Sequence, residues 1–584
     1  MEPQETQFST GAGGDGPGTP GPAAARNGYG TSTSLGRQGF SADHRIAAIM
    51  ADSLRNNREN VKTATARAVG PDLLRGLLML LMAMDHTVGA INSWPHAQGS
   101  LIELDGIPIT RWNRPIGYAI RTMTHLCAPG FFFLLGMGTV YFGRSRSRLG
   151  WSAFAVTRHF VIRASVLTVL TVLMGMAMGF GTIWFLNVVL FALGFDYLVV
   201  GLLWLLFSKT EPALASTVTK AARLAWGKKD NQNVESHASA DDEALRPLLP
   251  SLQRQHSPSR ENGSLDAPGA RTSYHIHNLL ILVLVGVTIW WNIWLSPNGG
   301  RCISTNSDGS LDTQPFPKTG SGFIDFWFHV YVTDRVISIF PAMGWLSFAI
   351  AGLLYARLVL HPAATPARIR SGTLVASLVL AVVFVLTRLL HFGNLSEDCF
   401  FTPDQGISDI GHPRHGNQYL ASPQAFFYLT KYPPDVAFFA YTLSVNLLFL
   451  TALDCVPRVY LPKTSPPSIT DSAASDGTAG ARRALAKAFT TLLTVLLTFG
   501  NSALFFYIVH QFVVYGAGSI LTKLFGREVP GEKNPLDGQP LIAIQSIWAF
   551  WGVWLLVIVI MFPLCRWYAR FKSTKSVDSV WRFF

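Results

Sequence analysis

The chain is poor in charge and poorer still in cysteine. Of its 584 residues only 14% are charged and five are cysteine, and those five show neither metal-like nor redox spacing. No apolar core of the signal-peptide kind opens it, so the first span is expected to act as its own insertion signal. No His-x-x-x-His or Cys-x-x-Cys arrangement points to a metal site. Internal repeats at a fixed period are lacking, and no stretch reads as a nucleic-acid recognition helix. What is plentiful is apolar sequence, 49% of residues with a mean hydropathy of +0.28. That balance describes an all-α, polytopic membrane protein rather than a soluble globule. The net charge of +12 sits in loops between apolar runs, where it speaks for membrane topology and against nucleic acid.

Residues 1–66 are rich in Gly, Pro, Ser and Thr and read as a disordered tail, with a short amphipathic helix over 42–67. Apolar runs long enough to span a bilayer follow at about 72–92, 117–142, 160–180, 183–207, 278–295, 341–360, 372–392, 435–453, 502–521 and 541–564, roughly ten in all. A further apolar helix, 484–499, reads as interfacial or re-entrant. The membrane part, 67–572, is interrupted by a polar, Ser-rich insert at 208–274 that reads as a disordered loop, and 573–584 form a tail. With the N-terminus inside, Arg144, Arg146, Arg148, Arg158, Arg357, Arg368, Arg482, Arg483, Arg566 and Arg570 all fall on the inner side. This is the positive-inside pattern, and it predicts both termini in the cytosol.

The run D-L-L-R-G-L-L-M-L-L-M-A-M-D-H-T-V-G-A-I-N, residues 72–92, stands out because it is apolar yet carries Asp72, Arg75, Asp85 and His86. At 3.6 residues per turn, Asp72, Arg75, Met79, Met82 and His86 fall close to one face. Ionisable groups in a span are costly and usually face a bundle interior, where they mark sites. Other polar residues collect at the same outer depth: His125, His391, the Lys431-Tyr432-Pro433-Pro434 segment, and Tyr507, His510 and Gln511 on one face of a later span. Trp94, His96 and Trp112 lie in the polar stretch after the first span. Imidazole suits proton transfer near neutral pH. Pro129-Gly130 permits a break in the second span, while Asp196, Tyr197 and Arg388 are interior polar residues awaiting partners. Cys302 and Cys399 are the two cysteines in outer loops, suited to a disulfide or to two free thiols. Asn394-Leu395-Ser396 is an outer-side glycosylation sequon, and Asn262-Gly263-Ser264 a cytosolic one.

Several segments in order, D-L-L-R-G-L-L-M-L-L-M-A-M-D-H, T-H-L-C-A-P-G-F-F-F-L-L-G, F-P-A-M-G-W from Phe340, T-K-Y-P-P and F-F-Y-I-V-H, resemble a family of transmembrane acyltransferases. The family is named after the catalytic domain of heparan-alpha-glucosaminide N-acetyltransferase. The resemblance covers nearly all of the membrane part from Asp72 to His510. It implies transfer of an acetyl group from cytosolic acetyl-CoA, used as a co-substrate with no bound cofactor, to a lumenal acceptor. The family's catalytic Asn and His lie in and just beyond the D-x-x-R-G span. His86 occupies the place of that Asn, and His96 falls within about one residue of that His. The exchange of Asn for His86, preceded by Asp85, departs from the family pattern.

The expectation is therefore a membrane-embedded acyltransferase acting on an outer-side sugar amine or hydroxyl. His86 would serve as base or transient acyl carrier, oriented by Asp85, with His125, His510 and His96 contributing. His125 and His510 with Tyr507 would supply supporting or oxyanion contacts, Arg75 with nearby basic loops would pair the CoA phosphates, and Asp72, Lys431, Tyr432 and His391 are further candidates for binding substrate or co-substrate. The same intramembrane His, Asp and Arg residues also suit a secondary transporter or flippase relaying protons.

Overall fold

The computed structural model describes residues 69–93, 97–98, 103–226, 268–297, 299–302, 319–405, 416–460, 477–533, 540–575 and 581. The tail 1–66, the helix expected over 42–67, His96, the centre of the insert and Asn262 lie outside these residues.

Helix α1 (Val69–Ala90) is followed by a two-residue antiparallel pair, β1 (Ala97–Gln98) and β2 (Arg111–Trp112). Helices α2 (Pro115–Thr124) and α3 (Cys127–Arg148) form one interrupted span. The break falls at His125 and Leu126, not at Pro129-Gly130. Pro129 instead sits in the first turn of α3, where its missing N–H costs nothing. Then come α4 (Ala153–Met178), β3 (Phe185–Asn187), α5 (Leu190–Trp226), α6 (Pro268–Trp294) and the short α7 (Gly322–Phe328). Strands β4 (Tyr331–Val332) and β5 (Val336–Ser338) join β3 in a small sheet of order β3-β5-β4, β3 parallel to β5. The chain continues through α8 (Ala342–Val359), α9 (Pro366–Leu390), α10 (Pro423–Phe427), α11 (Val436–Asp454), α12 (Gly477–Asn501) and α13 (Ala503–Phe525). A hairpin of β6 (Arg527–Lys533) and β7 (Pro540–Ala543) leads into α14 (Ile547–Ser573). This is an all-α, multi-pass membrane architecture.

Eleven of these helical stretches are long and apolar enough to cross a bilayer, one more than the sequence suggests; the eleventh is 482–501 within α12. Its packing sets it apart. Let the end of the bundle where α1 begins be basal and the opposite end apical. Helix α11 ends basally, since a Cβ on Gly70 would overlap the Asp454 carboxylate. Helix α13 runs the same way as α1: His510 meets His86, and a Cβ on Gly518 would overlap Ala90. It therefore starts at the basal end. Between them, α12 places Phe489 against Tyr460, just past α11, and Gly500 against Asp72. Both contacts are basal, so the C-terminal half of α12 packs against that end. Helix α14 returns to it, with Ser502 donating to the Cys565 carbonyl at 3.2 Å.

The insert is shorter than its composition implies. Helix α5 runs on to Trp226 because 208–226 is rich in Ala, Leu and other helix formers. Its extension packs on the start of α6, where Ser273 donates to the Glu211 carbonyl at 2.7 Å. Elsewhere small residues bring helices together. A Cβ on Gly136 would overlap the Ala349 carbonyl of α8, and one on Gly352 the Phe133 carbonyl of α3. That mutual contact is the small-residue packing by which membrane helices approach closely.

Candidate active site

Two consecutive residues near the apical end of α1 build the site, and they point in different directions. Successive helical side chains project about 100° apart, so Asp85 turns toward α2 and His86 toward α13. Asp85 pairs with the Arg121 guanidinium and accepts from the Thr124 hydroxyl at 2.9 Å. It is hydrogen-bonded to these groups and not to the His86 ring, so it does not orient that ring as the sequence reading supposes. His86 is held instead by α13: its Nδ1 lies 2.7 Å from His510 Nε2 and 3.1 Å from Gln511 Nε2. The two imidazoles stack with centroids 4.9 Å apart.

The proton positions in this dyad follow from its partners. His510 Nδ1 sits 2.8 Å from the Phe506 carbonyl, which can only accept, so Nδ1 carries a proton. A neutral His510 then offers Nε2 as an acceptor, His86 donates from Nδ1, and His86 Nε2 is left with a free lone pair. Among the described residues no hydrogen bond reaches that nitrogen, and His86 is only partly buried. In the alternative arrangement His510 is the cation, and His86 Nδ1 accepts from both His510 and the Gln511 amide. The two states differ by one proton and by which end of the Gln511 amide faces the ring.

On the other side of Asp85 lies a buried network of charge. Arg121 grips Glu103 through Nε at 2.8 Å and Nη2 at 2.7 Å, a two-pronged pairing. His125 Nε2 is 3.6 Å from the same carboxylate and fully buried. Lys431 is buried with its ammonium 5.1 Å from the Tyr432 ring and 5.7 Å from that of Phe340. Burial works against this cation, yet the neighbouring Tyr432, Asp85 and Glu103 hold it above the ordinary lysine range. Asp85 and Glu103 thus face Arg121 and Lys431, two charges of each sign. The K-Y-P-P segment fixes Glu103 by its backbone: Lys431 N donates to the Glu103 carbonyl at 3.1 Å, and Asp105 N to the Tyr432 carbonyl at 3.1 Å.

Other residues singled out in the sequence fall elsewhere. Tyr507 is buried one turn below His510, ring centroids 6.0 Å apart. Tyr432 packs edge-on to Phe340 within the F-P-A-M-G-W aromatic core. Asp72 and Arg75 pair with each other at 2.6 Å at the basal end. His391 caps α9, is exposed and lies 3.4 Å from Glu397, away from the dyad. Cys302 and Cys399 lie in the apical loops away from the dyad, unbonded to each other in this structure, Cys302 half-buried and Cys399 buried. Among the described residues Arg388 pairs with no carboxylate: it donates to Asn394 Oδ1 at 2.7 Å and to the Tyr428 carbonyl at 2.5 Å, over the Tyr419 ring. Asn394 is consequently buried, its amide also donating to the Thr387 carbonyl, so the folded sequon is closed to glycosylation. Tyr197 carries Arg163 over its ring, whereas buried Asp196 has no hydrogen-bond partner among the described residues.

The sequence reading missed Glu103, Arg121 and Thr124. Arg121 carried a usable signal, an ionisable residue in an apolar run four positions before His125. No protein-family model and no curated protein matches this chain.

Proposed function

We propose that this chain is a membrane-embedded acyltransferase that moves an acetyl group from cytosolic acetyl-CoA to an amine or hydroxyl presented at the apical, lumenal or outer face. The observation that carries the reading is the His86–His510 dyad, with one nitrogen of His86 left open beside a buried, charge-balanced network. The resemblance of the ordered motifs supports it, and Arg144, Arg146 and Arg148 at the basal end of α3 fit a cytosolic basal face. In the proposed reaction His86 Nε2 takes the proton of the acceptor as it attacks the thioester carbonyl. A C–N or C–O bond forms, the C–S bond breaks, and the departing CoA thiolate recovers the proton from the dyad. His510 accommodates that proton in between, through the short Nδ1–Nε2 contact. Arg75, about 16 Å from His86 along the axis, would lie toward the CoA phosphates.

The test is purified protein with labelled acetyl-CoA and a membrane extract as acceptor. Acetyl transfer or CoA release that disappears in His86→Ala and His510→Ala supports the reading. Transport of a solute into sealed vesicles without CoA, equally sensitive to His86→Ala, would replace it with a proton-coupled carrier.

A further inference from the structure

The apical loops hold a second chemical feature that the dyad does not use. Residues 300–302, after α6, lie beside 397–399, after α9: Glu397 N donates to the Gly300 carbonyl at 2.8 Å and Cys302 N to the Glu397 carbonyl at 2.9 Å. The Cys302 and Cys399 side chains interact there, and the Cys302 thiol also donates to the Gly106 carbonyl at 3.6 Å. Cys399 is fully buried, and burial together with the adjoining Cys302 pushes its thiol well above the usual cysteine range. An isolated thiol so placed would be inert, but a neighbouring sulfur gives it one reaction open to it. The remaining cysteines are remote: Cys127 lies in α3 against the Leu78 carbonyl, Cys565 in α14, and Cys455 at the basal end of α11.

The same loop segment supports the candidate site. Ile109 N donates to the Cys399 carbonyl at 2.8 Å, and Asp105 accepts from Ser396 N at 3.0 Å and from the Ser296 hydroxyl at 2.5 Å. Asp105 is two residues from Glu103, which grips Arg121. The thiol pair therefore sits at the root of the loop that carries Glu103.

We infer that Cys302 and Cys399 form a disulfide that ties the α6 and α9 loops together and holds the Glu103 loop in place. The two thiols give up two protons and two electrons, and a disulfide of the thiol-oxidoreductase class is reduced to its dithiol in exchange. Such a bond persists on the oxidising side of a membrane and not in the cytosol, so it also assigns the apical face. The inference is independent of the acyl-transfer reading and survives its failure.

Full-length protein is denatured from membranes in excess N-ethylmaleimide, digested without reductant and analysed by mass spectrometry. The expected result is a Cys302–Cys399 linked peptide pair in most molecules, with Cys127, Cys455 and Cys565 alkylated. Maleimide on both Cys302 and Cys399 in most molecules, or either residue linked elsewhere, overturns the inference. A second measurement covers loosely held bonds. Cys302→Ser, Cys399→Ser and the double variant should share one lowered melting temperature, by several degrees, matched by reductant-treated wild type. Reductant that lowers the double variant as much as wild type would also overturn it.

Discussion

Helix α1 carries an ion pair near each end of a single apolar stretch, and the two are built differently. At the basal end Arg75 and Asp72 pair within one turn of the same helix, with about a quarter of the Arg75 side chain exposed. Toward the apical end Asp85 meets Arg121 of another helix, and Arg121 reaches Glu103 of a loop, inside a network with Lys431 and His125 beside it. The basal pair is local to one helix, with Arg75 partly exposed and the Asp72 side chain largely buried. The apical network draws on distant segments, and each charge depends on the others for its place. Position along one helix thus separates a terminus from a site.

The comparison breaks most sharply on chemistry. His86→Ala should lower acetyl transfer by about 10²–10⁴-fold, the range for losing a general base, with the melting temperature nearly unchanged. Arg75→Ala should instead raise KM for acetyl-CoA with kcat held, as loss of uniform binding does. Steady-state kinetics on both variants decides; equal kcat losses would erase the distinction drawn between the two ends.

Stability gives the next largest contrast. Arg121→Ala leaves Glu103 and Asp85 buried without their cation and should cost about 3–5 kcal/mol. Arg75→Ala removes a cation that is itself partly exposed and should cost less, about 1–3 kcal/mol for the Asp72 carboxylate it leaves behind. Thermal unfolding in one detergent compares them directly, and a similar loss from both would show the apical network to be no more integral than the basal pair. Gly76→Ala falls in the same range as Arg75→Ala. Its Cβ would overlap the Leu496 carbonyl where α12 crosses the base of α1, and such overpacking costs about 1–3 kcal/mol.

The sequence made the spans and the importance of the first one legible, because hydropathy and misplaced charge are local signals. It reads 484–499 as interfacial or re-entrant, whereas 482–501 is long and apolar enough to cross and packs Gly500 on Asp72 at the basal end. His86 and His510 were both marked by ordinary helical arithmetic. Their contact was not, since residues 424 positions apart leave no periodic trace. Glu103 was hidden for a related reason. It sits in a polar loop where acidic residues are commonplace, and its meaning comes from backbone bonds to Lys431 and Tyr432, more than 300 residues on. Asp85 was misread because adjacency in sequence was taken for adjacency of side chains, which a helix does not provide.

The smallest expected effect lies at the apical loops, where carboxylates are held by N–H and O–H groups. Asp435 caps α11, accepting from Phe438 N at 2.6 Å and from Leu395 N at 3.0 Å. Burial raises its carboxyl to about 6 from an ordinary 3.8, with Asp105 adding to the rise and Arg388 and the two N–H donors opposing it. A raised acid binds its proton more readily folded than unfolded, so stability is lost as pH rises through 6 and is fully regained below 3.8. Between pH 5 and pH 7 this amounts to about 1 kcal/mol. Asp435→Asn keeps a capping oxygen but cannot titrate. The melting temperature of wild type should therefore fall relative to that of Asp435→Asn as pH is raised from 5 to 7. Parallel profiles would mean that the N–H donors, rather than burial, govern this carboxylate, and that the apical loops are held by charge after all.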